Sequence, residues 1–158
     1  MPPTSTKPAT RLEAEYRLED QVGFLLRRAY QRASSNLIDR IGGYDLTAPQ
    51  FATLARLHER GALSQNLLGR LVAMEPANIR DVVLRLKKRG LVTTRPSPDD
   101  GRLILVGLSA AGKSLVAKLL PIEIECTART LAKFNAAEKR LLYEMLGRLA
   151  DAEELSGR

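Results

Sequence analysis

Apolar residues recur at three- and four-residue spacings from about Glu13 to Arg40. Leu18, Val22, Leu25, Leu26, Ala29, Ala33, Leu37 and Ile41 fall on one stripe, which predicts an amphipathic helix ended by the Gly42-Gly43 pair. Thr47 then caps a second helix, with Pro49 in its first turn, Phe51, Leu54, Ala55 and Leu57 on one face, and Gly61 as its stop. Ser64 caps a short helix from Gln65 to about Val72 that turns Leu67, Leu68 and Leu71 inward. Glu75-Pro76 opens the next, an acid beside the positive helix end before a proline at the first helical position. That helix runs to Arg89 and closes at Gly90.

Between Leu91 and Leu108 the character changes. Two β-rich runs, LVTTRP and RLILVGL, flank SPDDG, whose proline, acids and glycine favour a turn, so a β-hairpin is predicted. Helix resumes after Ser109, through about Glu125 and onward with a bend near Pro121. Asn135 caps a last helix from Ala136 to about Leu155 carrying Leu141, Leu142, Met145, Leu146 and Leu149. Residues 1–10, MPPTSTKPAT, hold too little apolar surface to pack and read as a disordered arm. There are no internal repeats.

Two short helices across a tight turn, followed by a hairpin, are the parts of a winged helix-turn-helix, in which the second helix enters the major groove of DNA. On the Pro76–Arg89 helix, Ile79, Val82, Val83 and Leu86 point one way. Ala77, Asn78, Asp81, Leu84, Arg85 and Lys88 face the other, with Arg80 on the flank. Amide and guanidinium groups near the start suit base edges and basic groups toward the end suit phosphates, which makes Asn78 and Arg80 the base-reading candidates. Asp81 can accept from a cytosine amine or orient an arginine. A solvated amphipathic surface helix accounts for the same face when it is taken alone; the adjoining hairpin favours the DNA reading. In the hairpin, Arg95 and Arg102 flank a turn holding Asp99 and Asp100. Asp100 is expected to orient Arg102 toward the sugar-phosphate backbone or minor groove, although a weak surface ion pair explains the same residues.

Charge sharpens this picture. The 158-residue chain has 25 Lys plus Arg against 18 Asp plus Glu, a net charge of +7. Residues 47–109 hold ten of the bases and five of the acids, so the excess is central and favours an anionic partner, nucleic acid or a membrane surface. No run reaches the roughly 18 to 20 apolar residues of a membrane span, and the start lacks a basic region followed by an apolar core, so a soluble, cytoplasmic protein is expected. One His and one Cys are too few for a structural zinc site, and neither metal nor cofactor is expected.

One motif competes. Gly107 to Ser114, GLSAAGKS, matches the phosphate-cradling P-loop pattern and lies between a strand and a helix, the signature of a nucleotide-binding protein. Such a fold needs a parallel sheet and a second strand bearing an acid for Mg²⁺, and the remaining chain reads as helical. The favoured reading makes Ser109 a helix cap and Lys113 and Ser114 surface residues. His58, Ser and Asp residues form no recognisable catalytic set, so no enzyme is expected. Cys126 lies on a packing helix, where an inert thiol is favoured over a redox sensor. Arg27 and Arg28 suit DNA, a carboxylate ligand or plain solvation equally.

The stretch MEPANIRDVVLRLKKRGLVTTRPSPDDGRLILVGLSAAGKSL resembles the MarR (multiple antibiotic resistance regulator) family. The similar features are its recognition helix, the RGLV lead-in to the wing, the Asp-x-Arg motif at Asp100 to Arg102, and the Leu-Ser-x-x-Gly helix start at Leu108 to Gly112. YDLTAPQFATLARL extends the similarity weakly toward the N-terminus. Pro76 and Gly101 depart from the family, which often has a polar or basic residue and a second wing arginine at these places. The resemblance implies a mainly α fold with a small β-hairpin wing, a winged helix-turn-helix with N- and C-terminal dimerisation helices. Residues 1–10 form the arm, 11–46 the N-terminal dimerisation helix, 47–108 the DNA-binding lobe and 109–158 the C-terminal dimerisation helices. The implied function is a homodimeric transcription regulator, a repressor on a pseudo-palindromic double-stranded operator, released by a small aromatic ligand. The family's effector pocket lies between the dimerising helices and the lobe, which directs attention to Tyr30, Tyr44, Arg56 and His58: rings with a cation or imidazole suit an aromatic acid, while interface packing and solvation explain them as well. A winged-helix protein-interaction module is the other alternative.

Overall fold

The computed structural model describes residues 15–150, so the expected arm at 1–10 lies outside the described residues. Helix α1 spans Val22–Ile41 rather than starting near Glu13, because a 3-10 turn at Leu18–Asp20 precedes it. The reason is local. The Gln21 side chain donates to the Arg17 carbonyl at 3.1 Å, the group that a continuing helix would give to the Gln21 backbone N–H, which turns instead to Leu18. Gln21 is left extended, and the helix begins after it.

Helix α2, Ala48–Arg60, opens with a complete capping box. The Gln50 N–H donates to Thr47 Oγ1 at 3.3 Å and the Thr47 N–H donates to Gln50 Oε1 at 3.0 Å, so two orphan amides are satisfied reciprocally. Strand β1, Leu63–Ser64, follows, then α3 at Gln65–Leu71, whose Leu67 N–H is capped by Ser64 Oγ. Helix α4 is Pro76–Lys88. Its Glu75 cap position makes no side-chain hydrogen bond, so the acid contributes only its charge to the helix end. The end of α4 is a Schellman motif: Gly90, with φ of +70°, donates to Lys87 O and Leu91 donates to Leu86 O.

Strands β2, Val92–Pro96, and β3, Ile104–Leu108, form the expected hairpin, with Val92 opposite Leu108 and Pro96 opposite Ile104. A third strand joins them that the hydrophobic pattern does not predict. β1 pairs antiparallel along the free edge of β3, Leu63 against Val106, giving the order β1-β3-β2. Helix α5, Ala110–Thr130, runs through Pro121 past the expected Glu125, and α6 is Ala136–Leu149 with Ala150 as its C-cap; the rest of its expected span, to Leu155, lies outside the described residues. Asn135 caps α6 through a second capping box with Glu138.

The core is continuous. Leu37 and Ile41 of α1, Leu54 and Leu57 of α2, Leu68 of α3, Ile79 and Leu86 of α4, Val106 of β3 and Val116 and Leu119 of α5 are buried together. α1 lies along α5, tied by Asn36 to Thr130 Oγ1 at 3.0 Å, by the Cys126 thiol to Asn36 O at 3.3 Å, and by Arg40 to Glu125 at 2.8 Å. Much of the predicted apolar stripe stays outside this core. Val22, Leu25 and Leu26 near the start of α1 are exposed, as are Leu141, Met145, Leu146 and Leu149 of α6, where no residue is buried.

Candidate nucleic-acid interface and the adjoining cavity

Helix α4 stands on the lobe with Ile79, Val83 and Leu86 buried and Val82 half-buried. Ala77, Asn78, Arg80, Asp81, Arg85 and Lys88 are all exposed on its outer side, together with Leu84. Beside it, Arg95, Asp100 and Arg102 are exposed on the wing. Among the described residues, the side chains of Asn78, Arg80, Arg85, Lys88, Arg95 and Arg102 make no hydrogen bond or ion pair, so their donors are unspent. Lys87, which helical rotation alone does not single out, bridges helix and wing by donating to Thr94 Oγ1 at 2.6 Å.

Asp100, expected to orient the Arg102 side chain, holds the Arg102 backbone instead. Asp100 Oδ1 accepts from the Arg102 backbone N–H at 3.0 Å, and Leu103 N–H closes the turn on Asp100 O. The acid shapes the wing tip as an Asx turn, a two-residue contact that outcompetes the long guanidinium reach. Arg89 is also committed within the fold. Its guanidinium donates to the carbonyls of Asp45 and, at 2.8 Å, of Tyr44, in the turn that follows α1.

The P-loop pattern is occupied by the fold itself. Gly107 lies inside antiparallel β3 opposite Thr93. The Gly112 N–H is taken by Ser109 Oγ at 3.0 Å and the Lys113 N–H by Ser109 O at 2.9 Å, so the amides that would cradle a phosphate serve as a helix cap. Ser109 Oγ in turn donates to Gly90 O. Gly112 is glycine because a Cβ there would stand 2.0 Å from Leu91 O.

Behind the lobe, α1, α2, α5 and α6, with Leu71 of α3, line a largely apolar cavity of about 790 Å³ that opens to the surface. Tyr30, Arg56 and His58 line it; Tyr44 does not, because it sits in the turn whose carbonyl Arg89 holds. Arg56 is paired with Glu59 at 2.7 Å. The α5 wall is an addition to the expected lining: Glu123, Cys126 and Thr127 face the same space. Burial pushes the Cys126 thiol up, so little thiolate forms at neutral pH, which favours the inert reading. Glu123 Oε1 accepts from Thr127 Oγ1 at 3.5 Å, whereas Oε2 is buried without a partner. Burial pushes this carboxyl above the usual range, outweighing the Thr127 hydrogen bond. A single acidic residue on an otherwise apolar helix face gives no sequence signal of this; only the packing of α1 and α2 around it does.

Glu123 makes stability pH-dependent. With its pKa raised in the folded state, its contribution is greatest below the usual carboxylate range and is lost as pH rises through the raised value. Urea unfolding across that window should show Glu123→Gln gaining on the wild type as pH rises, with the gain gone in acid. A pH-independent difference would contradict the burial.

Among the described residues, no cluster of His, Cys, Asp and Glu is arranged to hold a metal ion, and no helix is long and apolar enough to cross a membrane. The family model described as MarR family matches residues 46–104, the lobe from just before α2 to the start of β3. The HTH-type transcriptional repressor NicR of Pseudomonas putida is 34% identical over 142 residues, 90% of this chain and 90% of NicR. A probable transcriptional regulator from Pseudomonas aeruginosa shares the fold at a TM-score of 0.77 and 45% identity, over 84% of this chain and 99% of that one. BpsR of Bordetella bronchiseptica, whose DNA binding is regulated by 6-hydroxynicotinic acid, aligns at a TM-score of 0.81 and 36% identity, over 86% of this chain and 97% of its own.

Proposed function

The chain belongs to the MarR family of DNA-binding transcription regulators, and from that premise we propose that it is a homodimeric repressor whose operator binding is released by a small aromatic acid. The observation that carries this reading is the outer face of α4, where Asn78, Arg80, Arg85 and Lys88 hold unspent donors beside Arg95 and Arg102 on the wing. Asn78 and Arg80 read base edges in the major groove, with Ala77 and Asp81 beside them. Arg85, Lys88 and Arg95 neutralise phosphates, and Arg102, carried by the Asp100 turn, reaches the backbone or minor groove. Residues 47–108 are the reading lobe; 11–46 and 109–158 pair two copies. The exposed apolar residues of α1 and α6 support that pairing, since Val22 is 65% and Leu149 59% exposed in the single chain.

Two recognition helices related by a two-fold axis require half-sites about one helical turn apart. Duplex binding should therefore saturate at two chains per site, with log affinity falling against log salt at a slope steeper than about −4. Fluorescence anisotropy between low and moderate salt, with sedimentation for stoichiometry, checks both. One chain saturating a half-site, or a flat salt response, contradicts the proposal. Leu25→Asp with Leu146→Asp should give monomers that no longer hold the two-half-site duplex.

The cavity is the effector site in this reading. Arg56 and His58 on α2 take the carboxylate and Tyr30 stacks on the ring; Tyr44 has no part in it. BpsR, regulated by 6-hydroxynicotinic acid, supports the ligand class. Release requires that the acid prefer a dimer whose recognition helices are wrongly spaced for the operator, since equal affinity for both forms shifts nothing. Arg56→Ala and His58→Ala should blunt release while sparing DNA binding.

A further inference from the structure

The α5 wall of the cavity holds one polar group left unsatisfied. Glu123 Oε2 is buried and meets no donor among the described residues, and the partner of Oε1, the Thr127 hydroxyl at 3.5 Å, is at the outer limit of a hydrogen bond. The nearby groups are spent elsewhere: the Cys126 thiol on Asn36 O, the Thr130 hydroxyl on Cys126 O, and Arg40 on Glu125. Across the cavity Arg56 is held by Glu59. A buried carboxyl oxygen without a donor is costly, and its persistence at the wall of a cavity asks for a donor from outside the chain. The terminal torsion of a glutamate is soft and two-fold, so either oxygen can be turned into the cavity at the expense of one weak bond.

We propose that Glu123 accepts a hydrogen bond from the molecule that occupies this cavity, so that the effector class is an aromatic acid that also carries a ring hydroxyl or ring N–H. This rests on the cavity being the effector site. The two walls then divide the work. α2 offers a cation and an imidazole to the carboxylate, α5 offers an acceptor to the donor, and Leu37 and Phe51 supply apolar cover. An acid lacking a donor leaves Glu123 unsatisfied, and one entering carboxylate-first toward α5 meets a like charge if Glu123 is ionised. Both polarity and orientation of the ligand follow from the same pair of walls. Burial raises this carboxyl, and accepting a donor offsets that by favouring the ionised form.

The test is calorimetric titration of benzoate, 3-hydroxybenzoate, 4-hydroxybenzoate and 6-hydroxynicotinate into the full-length wild type, Glu123→Leu and the isosteric Glu123→Gln. The wild type should prefer at least one donor-bearing acid over benzoate by about tenfold or more. Glu123→Leu should bring that ratio to within about twofold. Glu123→Gln, which keeps the shape, should reduce the ratio, and it decides the matter if the leucine variant fails to fold. A preference that survives in both variants, or an equal loss for every acid, overturns the role of Glu123. Wild type binding all the acids without preference overturns this inference and leaves the cavity reading standing; wild type binding none overturns both.

Discussion

Gly112→Ala is expected to destabilise the protein by about 3 kcal/mol or more, at or beyond the upper end of the usual cost of overpacking. The added Cβ would lie 2.0 Å from Leu91 O and 3.1 Å from Leu91 C, backbone atoms that no rotamer change can move. Nor can the segment retreat. Leu91 O accepts from the Ser109 N–H, and the Leu91 N–H closes the end of α4 on Leu86 O, so relief at Gly112 breaks either the cap of α5 or the stop of α4. For a chain of this size the change corresponds to a fall in Tm of roughly 6 to 12 °C, read at fixed protein concentration because pairing shifts apparent stability. Gly23→Ala is the control: nothing lies within 4 Å of its added Cβ, and alanine in a helix is favoured over glycine by up to about 1 kcal/mol. If the two variants melt alike, the close approach of α5 to Leu91 is wrong.

The second large effect is on DNA. A good bidentate base contact is worth about 1 to 3 kcal/mol, and in a two-fold complex each substitution removes it twice. Arg80→Ala or Asn78→Ala should therefore cost about 2 to 6 kcal/mol on the preferred operator, tens to ten-thousands fold, and little on unrelated duplex. Arg102→Ala should weaken every duplex alike and flatten the salt slope by about 1 for each phosphate it no longer neutralises. One operator, its single-base variants and a random duplex, all at matched salt, make the comparison. An Arg102→Ala protein that changes only base preference would remove the wing from the backbone, and an Arg80→Ala protein that binds all sequences equally poorly would remove Arg80 from the base edges.

Local signals carry far in this chain. The Thr47 and Asn135 capping boxes, the Ser64 and Ser109 caps and the Gly61 and Gly90 stops are contacts between residues a few positions apart, so the elements they bound can be read directly. The misses have a common physics. Strand β1 is two residues long and exists only through pairing with β3, more than forty positions on, which no periodicity reveals. The break before α1 turns on one amide side chain, Gln21, winning a carbonyl from the backbone. Asp100 takes the nearer amide instead of the expected side chain. The α4 face is legible because helical rotation alone sorts it, whereas the cavity is made where several helices meet: Tyr30, Arg56 and His58 are within reach of inference, Tyr44 falls outside the cavity, and Glu123 carries no signal at all. The stripes of α1 and α6 are apolar as read, but a stripe does not say whether its own chain or another covers it.

The Arg89 fork turns the lobe and the long helix into a lever with a fixed elbow. At 20 residues, α1 is about 30 Å long, and its far end is fastened through the Tyr44 and Asp45 carbonyls to the residue that terminates α4. A tilt of about 5° over that length displaces its tip by roughly 2 to 3 Å, on the order of half the rise of one helical turn. Two charge-assisted bonds therefore join the turn at Gly42–Asp45 to the end of α4, the helix that carries the exposed donors.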